Sequence, residues 1–296
     1  MPAVTKAEQG SKEDLSNITH DQNYIPPDTG YAWFVMLAGI LTLTMTFGVM
    51  NSFGVVQNYY LQTLFASEPA RKIAWISTMA QTCIYLGGLI ATPLIAKYGI
   101  KNTNMIGTIV ASTGLLLASF SSKIWQFVLT QGIIFGLGGA INLNVALLMP
   151  ALWFEKKRSL VIGIILAGTA IGSLILTPML NIVLNNLGAA WVYRILALLY
   201  VTLTGYSWAV CKPRIPLNFT NKIMDLSKLK DPVVILLLIT GYFTAAGYIL
   251  HILYFPPSVV ASGKSSSQAA NAVMAFSVFS AFGRISSGQL APYLGS

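Results

Sequence analysis

Acidic side chains are scarce in this chain: nine Asp or Glu occur in 296 residues, against 18 Lys or Arg. None of the nine lies within a long apolar run, so the paired carboxylates of acid–base chemistry are missing there. Cysteine is as rare. Cys83 and Cys211 both sit in apolar runs without CxxC spacing, which argues against a disulfide framework or a zinc site. No His/Cys metal spacing and no nucleophile–base set occurs in those runs, so an intramembrane enzyme finds no support and no cofactor is implied. Charge of any sign is sparse, at 9% of residues where a soluble domain carries roughly 25%.

What is present is apolar. Hydrophobic residues make up 55% of the chain, and the mean hydropathy is +0.67. Eight runs approach or exceed the roughly twenty residues that span a bilayer: 31–56, 73–96, 104–120, 124–150, 160–184, 190–211, 233–255 and 269–291. The pattern predicts an all-α, polytopic membrane protein. The formal net charge of +9 does not point to nucleic acid, because the basic residues are spread over short loops between apolar runs. The partners implied are the lipid bilayer and a small-molecule organic solute.

Loop charges predict the orientation. The loops at 97–103, 155–159 and 212–232 hold ten Lys or Arg, and the alternate loops hold four, Arg71, Lys72, Lys123 and Lys264. The first set is expected on the cytoplasmic side, with both termini; plasma and vacuolar membranes are not distinguished. Residues 1–24 read as a disordered cytoplasmic tail, 25–211 as an N-terminal six-helix bundle and 212–232 as a basic linker. Ile223, Leu226 and Leu229 in that linker recur at amphipathic spacing. Residues 233–296 read as an incomplete C-terminal bundle of two helices. The end of the second run, Pro93 to Gly99, resembles the end of the eighth, Gln289 to Gly295, which points to two related halves.

Four stretches carry a family resemblance. They are Pro26-Pro27-Asp28-Thr29-Gly30-Tyr31-Ala32-Trp33, Asn51-Ser52-Phe53-Gly54-Val55, Trp153 to Gly172 with its Glu155-Lys156-Lys157-Arg158 knot, and Gly283-Arg284 followed by Gly288. Together they resemble the major facilitator superfamily, and within it the fungal members of the monocarboxylate-transporter-like branch. The resemblance implies a major facilitator fold, a six-helix bundle followed by the first two helices of a second. It also implies a secondary transporter that moves a small organic anion or related solute by alternating access. Such a fold has twelve spans, so the chain reads as truncated after the eighth. The alternative is a non-transporting remnant, solute sensor or partner-binding membrane protein.

The candidate residues follow, several with two readings. Asp28 reads as a cap for the first helix, and Trp33 as an interfacial anchor. Lys156, Lys157 and Arg158 read as topogenic charge near lipid headgroups, or as a gate in which Arg158 docks on helix ends or a carboxylate. Arg284 matches the family's substrate-pairing arginine; its other reading is snorkelling to the cytoplasmic face. Ser280 stands where the family has an acid, and Asn51 where its animal branch has a lysine. An amide cannot take up a proton, so a different organic solute, or uniport, fits better than simple proton–lactate symport. Ala96 and Pro292 replace the acids of the gating pattern in each half. Gln81, Tyr85, Gln131, Asn142, Asn144 and Tyr248 are polar residues within runs that face a cavity or another helix. His251 is the one intramembrane group that titrates near neutrality; packing is its other reading.

The sequons at Asn17 and Asn218 fall on the expected cytoplasmic side. Treatment of the expressed protein with an N-glycosidase should therefore leave its gel mobility unchanged; a downward shift would reverse the orientation.

Overall fold

The computed structural model describes residues 27–214, 230–263 and 266–293. The leader 1–24, the Ile223, Leu226 and Leu229 stripe and both sequons lie outside the described residues. All regular structure among the described residues is helical. Helix α1 spans Gly30–Tyr59 and continues as a π-helical turn, Tyr60–Leu64. Helix α2 spans Ala70–Leu86 and α3 spans Gly88–Ala118. A short helix Ile124–Phe127 and a π-helical stretch Val128–Ile134 lead into α4, Phe135–Trp153. Then come α5 Arg158–Leu187, α6 Ala189–Val210, α7 Pro232–Ala261 and α8 Ser266–Leu290.

Local chemistry sets the breaks. Pro69, extended at ψ 138°, directly precedes α2, as suits a residue without an N–H at a helix start. Gly99 lies inside α3 with φ 76° and ψ 166°, a region open to glycine and strained for other residues. The neighbours on either side of Gly99 run in opposite senses. Before it, Gly132 faces Met79, Gly136 faces Cys83, Gly87 faces Ala140 and Gly88 faces Asn144, so both chains advance together. After it, Gly107 faces Ile141, Gly138 faces Ala111 and Gly114 faces Phe135, so one advances as the other retreats. The chain therefore reverses at one residue. The part of α3 before Gly99 prolongs α2, and the part after it returns antiparallel to α4.

Among the described residues, Gly30–Leu64, Ile124–Trp153, α5 and α6 are each long and apolar enough to cross a membrane, and the bent α2–α3 pair passes the same test jointly. Large apolar side chains such as Ile182, Leu198 and Leu236 point outward, an arrangement suited to hydrocarbon rather than water. The result is an all-α polytopic membrane fold. Two apolar cores lie inside it. One gathers Phe53, Tyr60, Phe127, Phe135, Tyr193 and Tyr200, and the other gathers Leu43, Trp153, Phe154, Val161 and Ile165 toward the basic end.

Helix α5 is the common neighbour of α1 and α8. Its contact with α1 rests on glycine: a side-chain carbon at Gly172 would lie 2.8 Å from the Gly48 Cα and closer still to the Thr44 carbonyl oxygen. Small residues at such a crossing let backbones approach and maximise dispersion contact. Replacing Gly172 with Val should cost about 1–3 kcal/mol through overpacking, read as a lowered thermal midpoint in detergent. Gly54→Ala, whose added carbon meets nothing within 4 Å, should leave the midpoint unchanged or slightly raised.

Candidate functional site

Arg284 lies on α8 where that helix crosses α5. A side-chain carbon at Gly163 would sit 2.5 Å from the Arg284 carbonyl oxygen, and one at Gly288 would sit 2.6 Å from that of Ser159. The two helices are antiparallel there, because Gly288 meets the start of α5 and Arg284 meets it about one turn later. The Arg284 Nε donates to Ser280 Oγ at 3.4 Å, one turn further from the basic end. That contact lies along α8 itself, and the arginine is half-buried. Long helical side chains lean toward the helix N-terminus, which on α8 is the inward direction.

Asn51 occupies a different level. Its neighbour Ser52 bonds Thr177 Oγ1 at 3.0 Å, so this part of α1 is level with Thr177 on α5, whereas Arg284 is level with Gly163. Fourteen helical residues separate those levels, about 21 Å along the axis. The structure therefore does not bring Asn51 and Arg284 together.

The polar candidates divide into two kinds. Gln131 and Asn142 are buried, at 2% and 0% exposure, and each is held by another helix. Gln131 Oε1 accepts from the Tyr193 hydroxyl at 2.7 Å, and that hydroxyl lies 2.8 Å from Tyr60 Oη. Asn142, with its amide nitrogen toward Asn104, donates to the Asn104 carbonyl at 2.9 Å and accepts from the Tyr200 hydroxyl at 3.2 Å. Tyr200 Oη also lies 3.1 Å from Thr46 Oγ1, and Asn104 Nδ2 donates to Ser207 Oγ at 3.2 Å. These groups tie α1, α3, α4 and α6 together inside the bundle. Gln81 and Asn144 are half-buried and Tyr85 is exposed; Asn144 donates to Ala140 O of its own helix at 2.8 Å. The side chains of Tyr248 and His251 lie outside the described residues.

At the basic end three distant segments form a clasp. The Asp28 backbone N–H donates to Trp153 O at 3.0 Å, and the Lys156 N–H donates to Asp28 Oδ2 at 3.3 Å. Trp153 Nε1 donates to Lys212 O at 2.9 Å, and the Tyr31 hydroxyl donates to Val210 O at 2.8 Å. Arg214, whose side chain is 4% exposed, pairs with Glu155 at 3.0 Å and donates from Nε to Leu152 O at 2.9 Å. Trp33 packs edge-on to Phe154, with the Lys157 ammonium 5.4 Å from its ring centre.

The clasp corrects the expected role of Asp28. Thr29, not Asp28, stands at the α1 cap, and no side chain caps that end. Asp28 instead adopts φ 59°, which turns its carboxylate to the α4–α5 turn. Its Oδ1 is buried with no hydrogen-bond partner. Lys156, Lys157 and Arg158 are exposed, and the neighbouring Glu155 is engaged by Arg214. Sequence reasoning missed Arg214, Tyr60, Tyr193 and Tyr200. Arg214 carried one signal, its place just beyond the end of the sixth apolar run.

Comparison with known proteins agrees with this architecture. The model of the Major Facilitator Superfamily matches residues 31–296. The chain is 31% identical to the MFS-type transporter pytF of Aspergillus terreus, over 91% of this chain and 93% of that protein. It is 30% identical to the agnestins efflux protein AgnL12 of Paecilomyces divaricatus, over 92% of this chain and 64% of that protein. It is also 30% identical to the aspyridones efflux protein apdF of Emericella nidulans, over 91% and 55%. The chain thus spans nearly all of one relative and less than two thirds of the other two.

If Gln131 and its partners fasten helices, Tyr193→Phe should lower stability modestly. Interhelical hydrogen bonds in membranes contribute about 0.6 kcal/mol on average and up to about 1.7, so losing two should cost on the order of 1 kcal/mol. Chemical denaturation in mixed micelles measures this, and any solute movement by the protein should survive the substitution.

Proposed function

Because the chain belongs to the Major Facilitator Superfamily, we propose that it moves a small organic solute across a membrane as a secondary transporter of the alternating-access type. The observation that carries this reading is the seam between α5 and α8, where Gly163 and Gly288 let the backbones meet beside Arg284. Residues 25–211 are taken as the first half, 212–232 as the linker and 233–296 as the start of the second. A transporter of this kind rocks one half against the other around a midplane site. Helix α8 seated on α5 supplies one such sliding contact.

The finer reading is a small organic anion, within the monocarboxylate-transporter-like branch. It rests on Arg284, an intramembrane cation that costs about 2.5–3.5 kcal/mol to insert and that is half-buried. No Asp or Glu occurs in the apolar runs to compete with an anionic solute. Asn51 and Ser280 cannot titrate, so the solute moves by uniport or by a coupling other than a lysine–carboxylate pair. Two relatives are named efflux proteins, which favours export and a fungal small molecule as cargo. The ten-to-four distribution of basic loop residues favours cytoplasmic termini.

The test is an uptake and efflux screen of carboxylates and neutral analogues in vesicles carrying the protein, with Arg284→Ala alongside. The expected result is that Arg284→Ala loses most movement of the carboxylate substrate while its thermal midpoint stays near that of the parent. Equal movement by the two proteins would remove Arg284 from the site.

A further inference from the structure

The end of the bundle opposite the clasp carries a groove of about 580 Å³ between α2 and the chain entering α4. Glu68, Lys72, Trp75 and Met79 form one wall, a stripe at helical spacing, and Lys123, Trp125 and Val128 form the other. We propose that this groove holds the headgroup of an anionic phospholipid, independently of the solute path.

Position is the first argument. Lys123 immediately precedes the helical start at Ile124, and Glu68 precedes α2, which begins at Ala70. The mouth therefore lies at helix ends, where hydrocarbon gives way to headgroups. Trp75 and Trp125 flank it and are exposed, at 54% and 60%. Indoles exposed at that depth have the amphipathic character of an interfacial belt.

Charge is the second argument. Two ammonium groups and one carboxylate line the mouth. Glu68 Oε2 lies 2.7 Å from Lys72 Nζ, so Lys72 is partly neutralised and Lys123 supplies the net positive charge. The backbone N–H groups of Ser122 and Lys123 already donate to Gln126 Oε1, at 2.8 and 3.0 Å, so recognition falls to side chains. A zwitterionic headgroup would bring its own cation toward the lysines, whereas a phosphodiester without one would not.

Depth is the third. From Glu68 to Met79 the stripe covers twelve residues, ten of them in α2, about 15 Å of helix. Its polar end is the charged mouth and its inner end is thioether and, across the groove, valine. That gradient matches a headgroup followed by the upper part of an acyl chain. A small soluble anion would use the mouth and leave the apolar floor uncovered.

Tryptophan quenching by brominated lipids tests this on the full chain in phosphatidylcholine nanodiscs. Brominated phosphatidylglycerol should quench several-fold more than brominated phosphatidylcholine at equal content. The excess should be lost in K72Q/K123Q, and also in W75F/W125F, which identifies the reporting indoles. Retention of phosphatidylglycerol adducts in native mass spectrometry should fall in the single variant K123Q, a conservative surface change. Equal quenching by the two lipids would overturn the proposal, as would an excess that survives K72Q/K123Q. Abolition of the excess by soluble glycerol phosphate would instead assign the mouth to a free anion. Solute movement in K123Q should equal the parent's, so failure here and failure of the transport reading remain distinguishable.

Discussion

Helices surrounded by lipid gain little from hiding apolar side chains against one another, because the lipid is as apolar as they are. Their association depends instead on how closely the backbones approach. In this protein α5 makes close approaches on two sides, to α1 through Gly48 and Gly172 and to α8 through Gly163 and Gly288. Bulk at these crossings would push both neighbours away and widen the space around Arg284. The position of the candidate site is thus a consequence of missing side-chain carbon on α5.

The second requirement is that polar groups in a solvent without hydrogen-bonding capacity find partners inside the protein. The two buried networks meet it differently. Tyr60, Tyr193 and Gln131 join three segments through side chains alone. Thr46, Tyr200, Asn142, Asn104 and Ser207 run from the middle of α1 toward the basic end. Both networks use neutral groups, so they join helices without burying a charge. Arg284 apart, the paired and stacked cations lie at the ends, where Arg214 pairs with Glu155 and Arg194 stacks near Phe120 and Trp191.

Length and apolar composition made the runs legible. The turn between 73–96 and 104–120 was readable from Lys97 to Thr103, although its compression to Gly99 alone was not. The division of polar residues was also hidden. Gln131 and Asn144 look alike in a linear chain, since whether an amide meets Tyr193 or its own helix depends on rotation about the helix axis. Tyrosines 60, 193 and 200 escaped notice because a tyrosine near an apolar run reads equally as ring or as hydroxyl. Asp28 misled for a different reason. Its composition fits a helix cap, and only a left-handed backbone at φ 59° directs it to a partner 128 residues away.

The clasp also bears on the order in which the protein is made. Asp28 and Tyr31 emerge first, yet their partners are Trp153, Lys156 and Val210, the last 179 residues from Tyr31. Helix α1 must therefore enter the bilayer and wait there with its leading end unfastened while α2 to α6 are synthesised. Only after Val210, Lys212 and Arg214 have left the ribosome can the Tyr31, Trp153 and Glu155 contacts all form together. The first segment in sequence is thereby among the last to be secured.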